Sequence, residues 1–317
     1  MSEMMILGAA ISDVLISPAR AEMLNRSSTP AQIRMTTGGD ALNESTVLAR
    51  LGHKTALGTV LGADAMARLI EAHCAHEGIQ LISKVYPEMD TGVNVVLVHE
   101  NGERSFITNP KGSLRKLSLS DAMEILDSAA FADCRIFCLA SMFVSPELRA
   151  EDMEKLFSFA HEKGKIVCAD STRRKNGETL KDVSGALAQL DYFFPNAEEA
   201  QVLTESASAE EAAKKLVDAG VRNAVIKCGG AGCLIVNARE TMHIPSFKTH
   251  CLDTTGAGDT FSAAFQAAIL EGRDLKACGA FACAAASVCI EKLGATTADL
   301  NRAEIERRMQ EILNHCK

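Results

Sequence analysis

The chain contains no tryptophan and only two tyrosines, and its 12 phenylalanines bring the aromatic content to just 4% of 317 residues. So few large rings leave little with which to stack bases along a nucleic-acid strand. Seven prolines, widely scattered, give no proline-rich linker, and no repeat or low-complexity tract divides the chain. Positive charge is also in deficit. The balance of 33 Lys+Arg against 41 Asp+Glu leaves a net charge of −8, without the basic run that a phosphate-backbone footprint needs, so nucleic acid is excluded as a partner. No apolar stretch reaches the roughly 18 residues of a membrane span. The apolar stretch Met1 to Ile11 has no basic leader and meets Asp13 at once, so it reads as a buried strand rather than a signal peptide.

Cysteine is plentiful, at 11 residues, but no C-x-x-C pair occurs. Cys138, Cys168 and Cys228 sit in apolar strand-like runs and read as small buried hydrophobes of a reducing, cytoplasmic compartment. His73 and His76, spaced i, i+3 on a helical pattern, lack a nearby third ligand and read as surface residues rather than a metal site.

With 47% hydrophobic and 23% charged residues, the composition is that of a globular protein able to bury a large core. Continuous apolar runs, Met4 to Ile16, Lys54 to Leu61, Arg135 to Ala140, Lys165 to Asp170 and Asp191 to Asn196, alternate with helical periodicity. This predicts an α/β fold with a doubly wound, mostly parallel sheet flanked by helices. Between Gln80 and Asn109 the period drops to two, with strands at 82–86, 92–99 and 104–108, which predicts a small separate sheet of the kind enzymes use as a lid.

Three stretches carry the chemistry. Asp253-Thr-Thr-Gly-Ala-Gly-Asp-Thr-Phe261 runs from a glycine-punctuated loop into a helix. Backbone N–H groups at such a helix start suit a phosphate, while Asp259 is either a helix cap or a group that acts on a proton beside that phosphate. Gly38-Gly-Asp-Ala-Leu-Asn43 opens another helix and suits a hydroxyl-rich ligand, with Asn43 one turn in. Asn196-Ala-Glu-Glu199 has the spacing of a capping box, and also of two oxygen ligands that organise water around a divalent cation. In addition, Lys227-Cys-Gly-Gly-Ala-Gly232 makes a glycine-rich strand turn that is neither a P-loop nor a dinucleotide fingerprint, which disfavours an oxidoreductase. Asp13, after the first strand, is either a turn residue or a substrate contact.

Together these motifs, over essentially the whole length, resemble the ribokinase family of PfkB-type carbohydrate kinases. The resemblance implies a single kinase domain, 1–317, whose β lid comes from segments around 14–36 and 82–110. It implies ATP-dependent phosphorylation of a hydroxymethyl group on a small sugar (a ketose, pentose or sugar acid), with Mg2+ and K+ as cofactors and a homodimer through the lid. By similarity, Asp259 is the general base, and the N–H groups of Gly256, Ala257 and Gly258 stabilise the transferred phosphoryl group. Asp13, Gly39, Asn43, Arg104 and Phe143 bind substrate. Asn196, Lys227, Gly229, Gly230, Gly232, Gly258 and Cys283 border the nucleotide. Glu199 reaches Mg2+ through water. Asp253 and Thr255, with backbone oxygens at Cys289, Lys292 and Gly294, hold the monovalent cation. The chain departs from the family pattern at Lys227-Cys228, where a threonine often precedes the glycines. A nucleoside kinase of the same fold, which calls for aromatic stacking that only Phe106 and Phe143 offer, remains open, as does a non-catalytic ligand-binding relative.

Overall fold

The computed structural model describes residues 2–20, 23, 29–30, 32–100 and 104–316, with the side chain of Arg104 outside the described set. Its elements are β1 (Met4–Leu7), β2 (Ile11–Ala19), β3 (Gln32–Gly38), α1 (Asp40–Arg50), β4 (Thr55–Gly62), α2 (Ala65–Glu77), β5 (Gln80–Tyr86), β6 (Val93–His99) and β7 (Arg104–Thr108). There follow α3 (Leu119–Leu126), α4 (Ala129–Asp133), β8 (Ile136–Met142), α5 (Ala150–Glu162), β9 (Ile166–Ser171), α6 (Leu180–Leu187), β10 (Tyr192–Phe194), α7 (Ala197–Thr204) and α8 (Ala209–Asp218). The last third holds β11 (Asn223–Lys227), β12 (Cys233–Asn237), β13 (Thr241–Ile244), α9 (Ala257–Leu270), α10 (Leu275–Cys289) and α11 (Arg302–His315).

The main sheet has nine strands in the order β13-β12-β11-β10-β9-β8-β1-β4-β5. It is parallel from β5 through β11 and turns antiparallel at β12. Successive side chains of a strand face opposite sides, and both sides are buried. Met4 and Ile6 enter the core under α1, α2, α9, α10 and α11, while Met5 and Leu7 enter the one under α3 to α8. Two packed faces explain why these strands read as unbroken apolar runs.

Two strand boundaries differ from expectation. The run Met4 to Ile16 is two strands, because the chain leaves the main sheet at Gly8, where φ is +153° and a Cβ would lie 2.8 Å from the Ala140 carbonyl oxygen. Asp13 therefore belongs to the small sheet rather than to the end of a main strand. The strand at 82–86, expected with the small sheet, is β5 and pairs in parallel with β4 at the main sheet's edge. The cause is α2, which makes the β4–β5 connection a crossover back into the same sheet.

The small sheet has the order β3-β2-β6-β7. Its register sets Asp13 opposite Thr36 and Asn94, and Asn94 opposite Thr108. These four share a face with Phe106, two residues along β7 from Thr108. The other face is aliphatic, with Val14, Ile16, Ile33, Met35, Val95, Leu97 and Ile107, of which Ile33, Met35 and Ile107 are 63%, 54% and 57% exposed. Among the described residues no helix is long and apolar enough to cross a membrane.

Candidate active site

Doubly wound sheets gather ligands at the carboxyl ends of their strands, and the residues singled out in the sequence collect there. Gly256 caps α9 with φ +75°, and a Cβ on it would meet Ala295 Cα and O at 2.6 Å, so only glycine lets the loop lie against 294–295. Asp253 shapes the same loop. Its Oδ1 accepts from Thr255 N at 3.0 Å and Thr255 Oγ1 at 2.7 Å, and its Oδ2 accepts from Gly294 N at 2.7 Å. The carbonyls of Thr255 and Ala295 converge on the buried Cys289 thiol, at 3.6 and 3.7 Å, while the Cys289 carbonyl accepts from Lys292 N. N–H groups of a first helical turn have no intrahelical acceptors. That of Ala257 turns back to Thr254 O at 3.2 Å, whereas Gly258 lies at the mouth of the helix beside the Lys227 ammonium.

Asp259 is reached across the molecule by Asn43, whose Nδ2 donates to Oδ2 at 2.7 Å. The two glycine motifs thus meet at one carboxylate. Gly39 makes this possible at the other end, with φ +94° and a Cβ position 2.5 Å from Ala9 O. Burial, and next the Asp40 carboxylate, push the pKa of Asp259 well above the usual range, against the opposing effect of the Asn43 hydrogen bond. Asp40 itself is raised to about 6, by burial first and by Asp170 second.

Lys227 and Asp170 form a buried ion pair across the end of β10. The ammonium lies 2.6 and 2.7 Å from the two carboxylate oxygens, and Ser262 Oγ donates to Asp170 Oδ2 at 2.7 Å. Burial is the largest single influence and pulls the lysine pKa down, but Asp170, Glu199 and Asp259 together outweigh it and the net shift is upward. Asn196 and Glu199 form a complete capping box, each side chain accepting from the other's backbone N–H at 2.9 Å. Burial raises the Glu199 carboxyl above its usual range. The capping role is thus real, and it leaves the pair beside Lys227, since Asn196 bridges to that residue in the sheet.

The glycine turn 229–231 and Gly232 close the β11–β12 hairpin against a cavity of about 450 Å³. Its walls include Lys227, Gly229, Gly230, Gly232, Gly258 and Cys283, together with Phe247 and Phe261. Thr254, Ala257 and Gly258, at the start of α9 and just ahead of Asp259, also line it. On the acceptor side, the Asp13 carboxylate lies against Gly38, where a Cβ would be 2.2 Å from Oδ2. Phe143, expected to line this side, is 4% exposed and packs in the hydrophobic core. The Arg104 backbone lies on β7 opposite Val98, and its side chain falls outside the described residues. His73 Nε2 is bonded to Thr46 Oγ1 at 2.8 Å, and among the described residues no three His, Cys, Asp or Glu side chains converge on a metal position. Sequence reasoning missed Asp40, Asp170 and Ser262. For Asp170 a signal existed, namely an acid ending a buried parallel strand.

A family model described as "pfkB family carbohydrate kinase" matches residues 1–302. Among curated proteins, a ribokinase of Haemophilus influenzae is 28% identical over 307 residues, covering 94% of this chain and 95% of the relative. A nucleoside kinase of Methanothermobacter thermautotrophicus is 25% identical over 295 residues, covering 93% and 91%. An E. coli structure described as a ribokinase II in complex with ATP and Mg2+ superposes with a TM-score of 0.81 at 22% identity, covering 98% of this chain and all of that one, and shares its fold.

Proposed function

The chain belongs to the pfkB family of carbohydrate kinases, and on that premise we propose that it transfers the γ-phosphoryl group of ATP to a hydroxymethyl group of a small sugar, with Asp259 as general base. The observation that carries this reading is the Asn43–Asp259 contact of 2.7 Å, made by the residue that directly follows Ala257 and Gly258 of the cavity wall. It joins a carboxylate, a helix start and a hydroxyl-binding motif at one point. In this reading Asp13, Gly39 and Asn43 hold the sugar hydroxyls, and Asp259 takes the proton of the attacking one. The helix start at Gly256 to Gly258 and the Lys227 ammonium face the transferred group, where fixed donors stabilise developing charge. The glycine turn and Cys283 border the adenosine moiety.

Because no three His, Cys, Asp or Glu side chains converge among the described residues, a divalent cation would be held chiefly by the nucleotide phosphates that carry it in, with nearby carboxylates in support. Asp170 pairs with the Lys227 ammonium, Asp40, Glu199 and Asp259 lie within its electrostatic reach, and burial first, then neighbouring carboxylates, raise the pKa of Asp40, Glu199 and Asp259. Glu199, beside Asn196, would hold Mg2+ through water, and the ion would supply neutralisation of phosphate charge. For K+, Asp253 and Thr255 with the backbone oxygens at Cys289, Lys292 and Gly294 form the proposed site. The converging carbonyls of Thr255 and Ala295 support a hard-cation position in that loop.

One panel tests substrate and cation together. ADP release is measured with ketoses, pentoses, sugar acids and nucleosides, in K+ and again in tetramethylammonium. A sugar is expected to turn over fastest, and more slowly without K+; turnover confined to nucleosides overturns the sugar assignment. Phe106 favours that second reading, because it is 60% exposed on the same face of the small sheet as Asp13, where a base could stack.

A homodimer through the lid is proposed on the aliphatic face of the small sheet, where Met35 and Ile107 end one cross-strand row on the two edge strands and Ile33 stands beside Met35. Exposed apolar residues in cross-strand rows are the kind of patch that association covers. Light scattering is expected to give twice the chain mass for the wild type and the single-chain mass for Met35→Lys/Ile107→Lys; a monomeric wild type discards the dimer.

A further inference from the structure

Glu44 follows Asn43 on α1 and is fully buried, as is Gln266 on α9. Gln266 Nε2 donates to Glu44 Oε2 at 2.9 Å, and the Cys138 thiol donates to the same oxygen at 3.7 Å. The other oxygen of each side chain, Glu44 Oε1 and Gln266 Oε1, is buried and has no hydrogen-bond partner among the described residues. Two acceptors cannot satisfy one another, and two orphaned buried acceptors are costly. A carboxylic acid facing an amide removes both vacancies, because its O–H is the missing donor.

We propose that Glu44 is held as the neutral acid, closing a two-bond acid–amide ring with Gln266, and that this ring fixes how α1 crosses α9 and hence where Asn43 meets Asp259. Asn43 and Glu44 are adjacent and diverge by about 100° around α1. Their partners, Asp259 and Gln266, lie two turns apart on α9, about 10 Å along its axis. One tether holds each side of the crossing, and the distal one has no contact with the reacting groups.

The surroundings agree with a neutral acid. Burial is the largest influence raising the Glu44 pKa, followed by Asp170 from β9 and Asp259 from α9, while the Gln266 hydrogen bond and Lys227 from β11 oppose it. Cys138 on β8 and Cys168 on β9, near Glu44, are thiols that burial holds protonated, so neither supplies a charge to it. A charged Glu44 would add one more anion behind a site already rich in them. Glu44 is thus a positioning residue, and its kinetic role rests on Asp259 being the base.

The test has two arms that separate these ideas. In protein carrying 13C-carboxyl glutamate, the Glu44 resonance, identified by its loss in Glu44→Gln, is expected to keep the shift of a protonated acid through neutral pH. A resonance that titrates as an ordinary carboxylate overturns the proposal whatever Asp259 does. In the kinetic arm, Glu44→Gln can form an amide–amide ring with the same two bonds, so kcat and its acidic limb are expected to stay as in wild type. Glu44→Ala frees the crossing, and kcat is expected to fall by up to about 10²-fold, with KM for ATP little changed. Equal damage in both variants, or an acidic limb that moves down in Glu44→Gln because a charge was removed, also overturns it. Should Glu44→Ala fail to fold, Gln266→Leu serves for that comparison.

Discussion

Asp259→Asn is expected to lower kcat by about 10²–10⁴, the usual contribution of a general base, with KM for ATP and sugar nearly unchanged. The substitution is close to isosteric. The amide oxygen can still accept from Asn43 Nδ2, so the meeting of α1 and α9 at 2.7 Å survives and only the proton acceptor is lost. The fold should not suffer. Asp259 is half-buried and repelled by Asp40 and Asp170, so a neutral side chain relieves that repulsion and the melting temperature is expected to hold or rise. The direction of the pKa shift adds a signature. Because the Asp259 pKa is raised, the acidic limb of kcat/KM should lie above the usual carboxylate range, with activity falling as pH drops and the base takes up a proton. Asp40→Asn removes the strongest repelling charge and should move that limb to lower pH. An Asp259→Asn variant within about tenfold of wild-type kcat would remove the residue from the base role.

Lys227→Met is expected to be the most damaging change to stability, by about 3–5 kcal/mol, the cost of leaving one partner of a buried ion pair alone. The side chains of Lys227 and Asp170 are 13% and 4% exposed, so solvent does little to screen the carboxylate left behind. The Ser262 hydroxyl and the Ser171 backbone N–H would remain as its neutral donors. The same variant is expected to raise KM for ATP, since the ammonium sits beside Gly258 at the helix mouth. Asp170→Asn should restore much of the lost stability in the double variant without restoring KM, because it removes the orphaned charge but supplies no cation. Urea unfolding and ATP titration check the two halves. A Lys227→Met protein as stable as wild type would mean that the pair is solvated, contrary to its burial.

The places of Asp259, its helix start and Asn43 were legible because each lies in a contiguous motif whose residue types have a local reason, such as a glycine where φ is positive or a polar side chain at a helix start. The ion pair was not legible, since Asp170 and Lys227 are 57 residues apart and nothing local in either strand specifies the other. Asp40 stood inside the motif at 38–43, but its weight comes from burial and from facing Asp170 on β9 and Asp259 on α9, which only the assembled fold brings near. The mostly parallel sheet followed from apolar runs with two buried faces. Its edge did not, because β5 carries the half-exposed pattern of a lid strand and only the α2 crossover assigns it to the main sheet. Phe143 suited an acceptor pocket by residue type; it is buried in the core and also lines a small cavity with Gly8 and Ala9, a placement no local pattern in the sequence specifies.

The Asn43–Asp259 contact spans 216 residues of chain. Closing a loop of that length costs roughly 5 kcal/mol before any constant is added, far more than one hydrogen bond returns, so the contact is a result of the assembled sheet and not a cause of it. No contiguous fragment that lacks either helix can phosphorylate anything, and a newly made chain stays inert until α9 has docked. Recovery of activity during refolding should therefore trail recovery of helical signal, which makes catalysis itself the strictest reporter that the whole topology has formed.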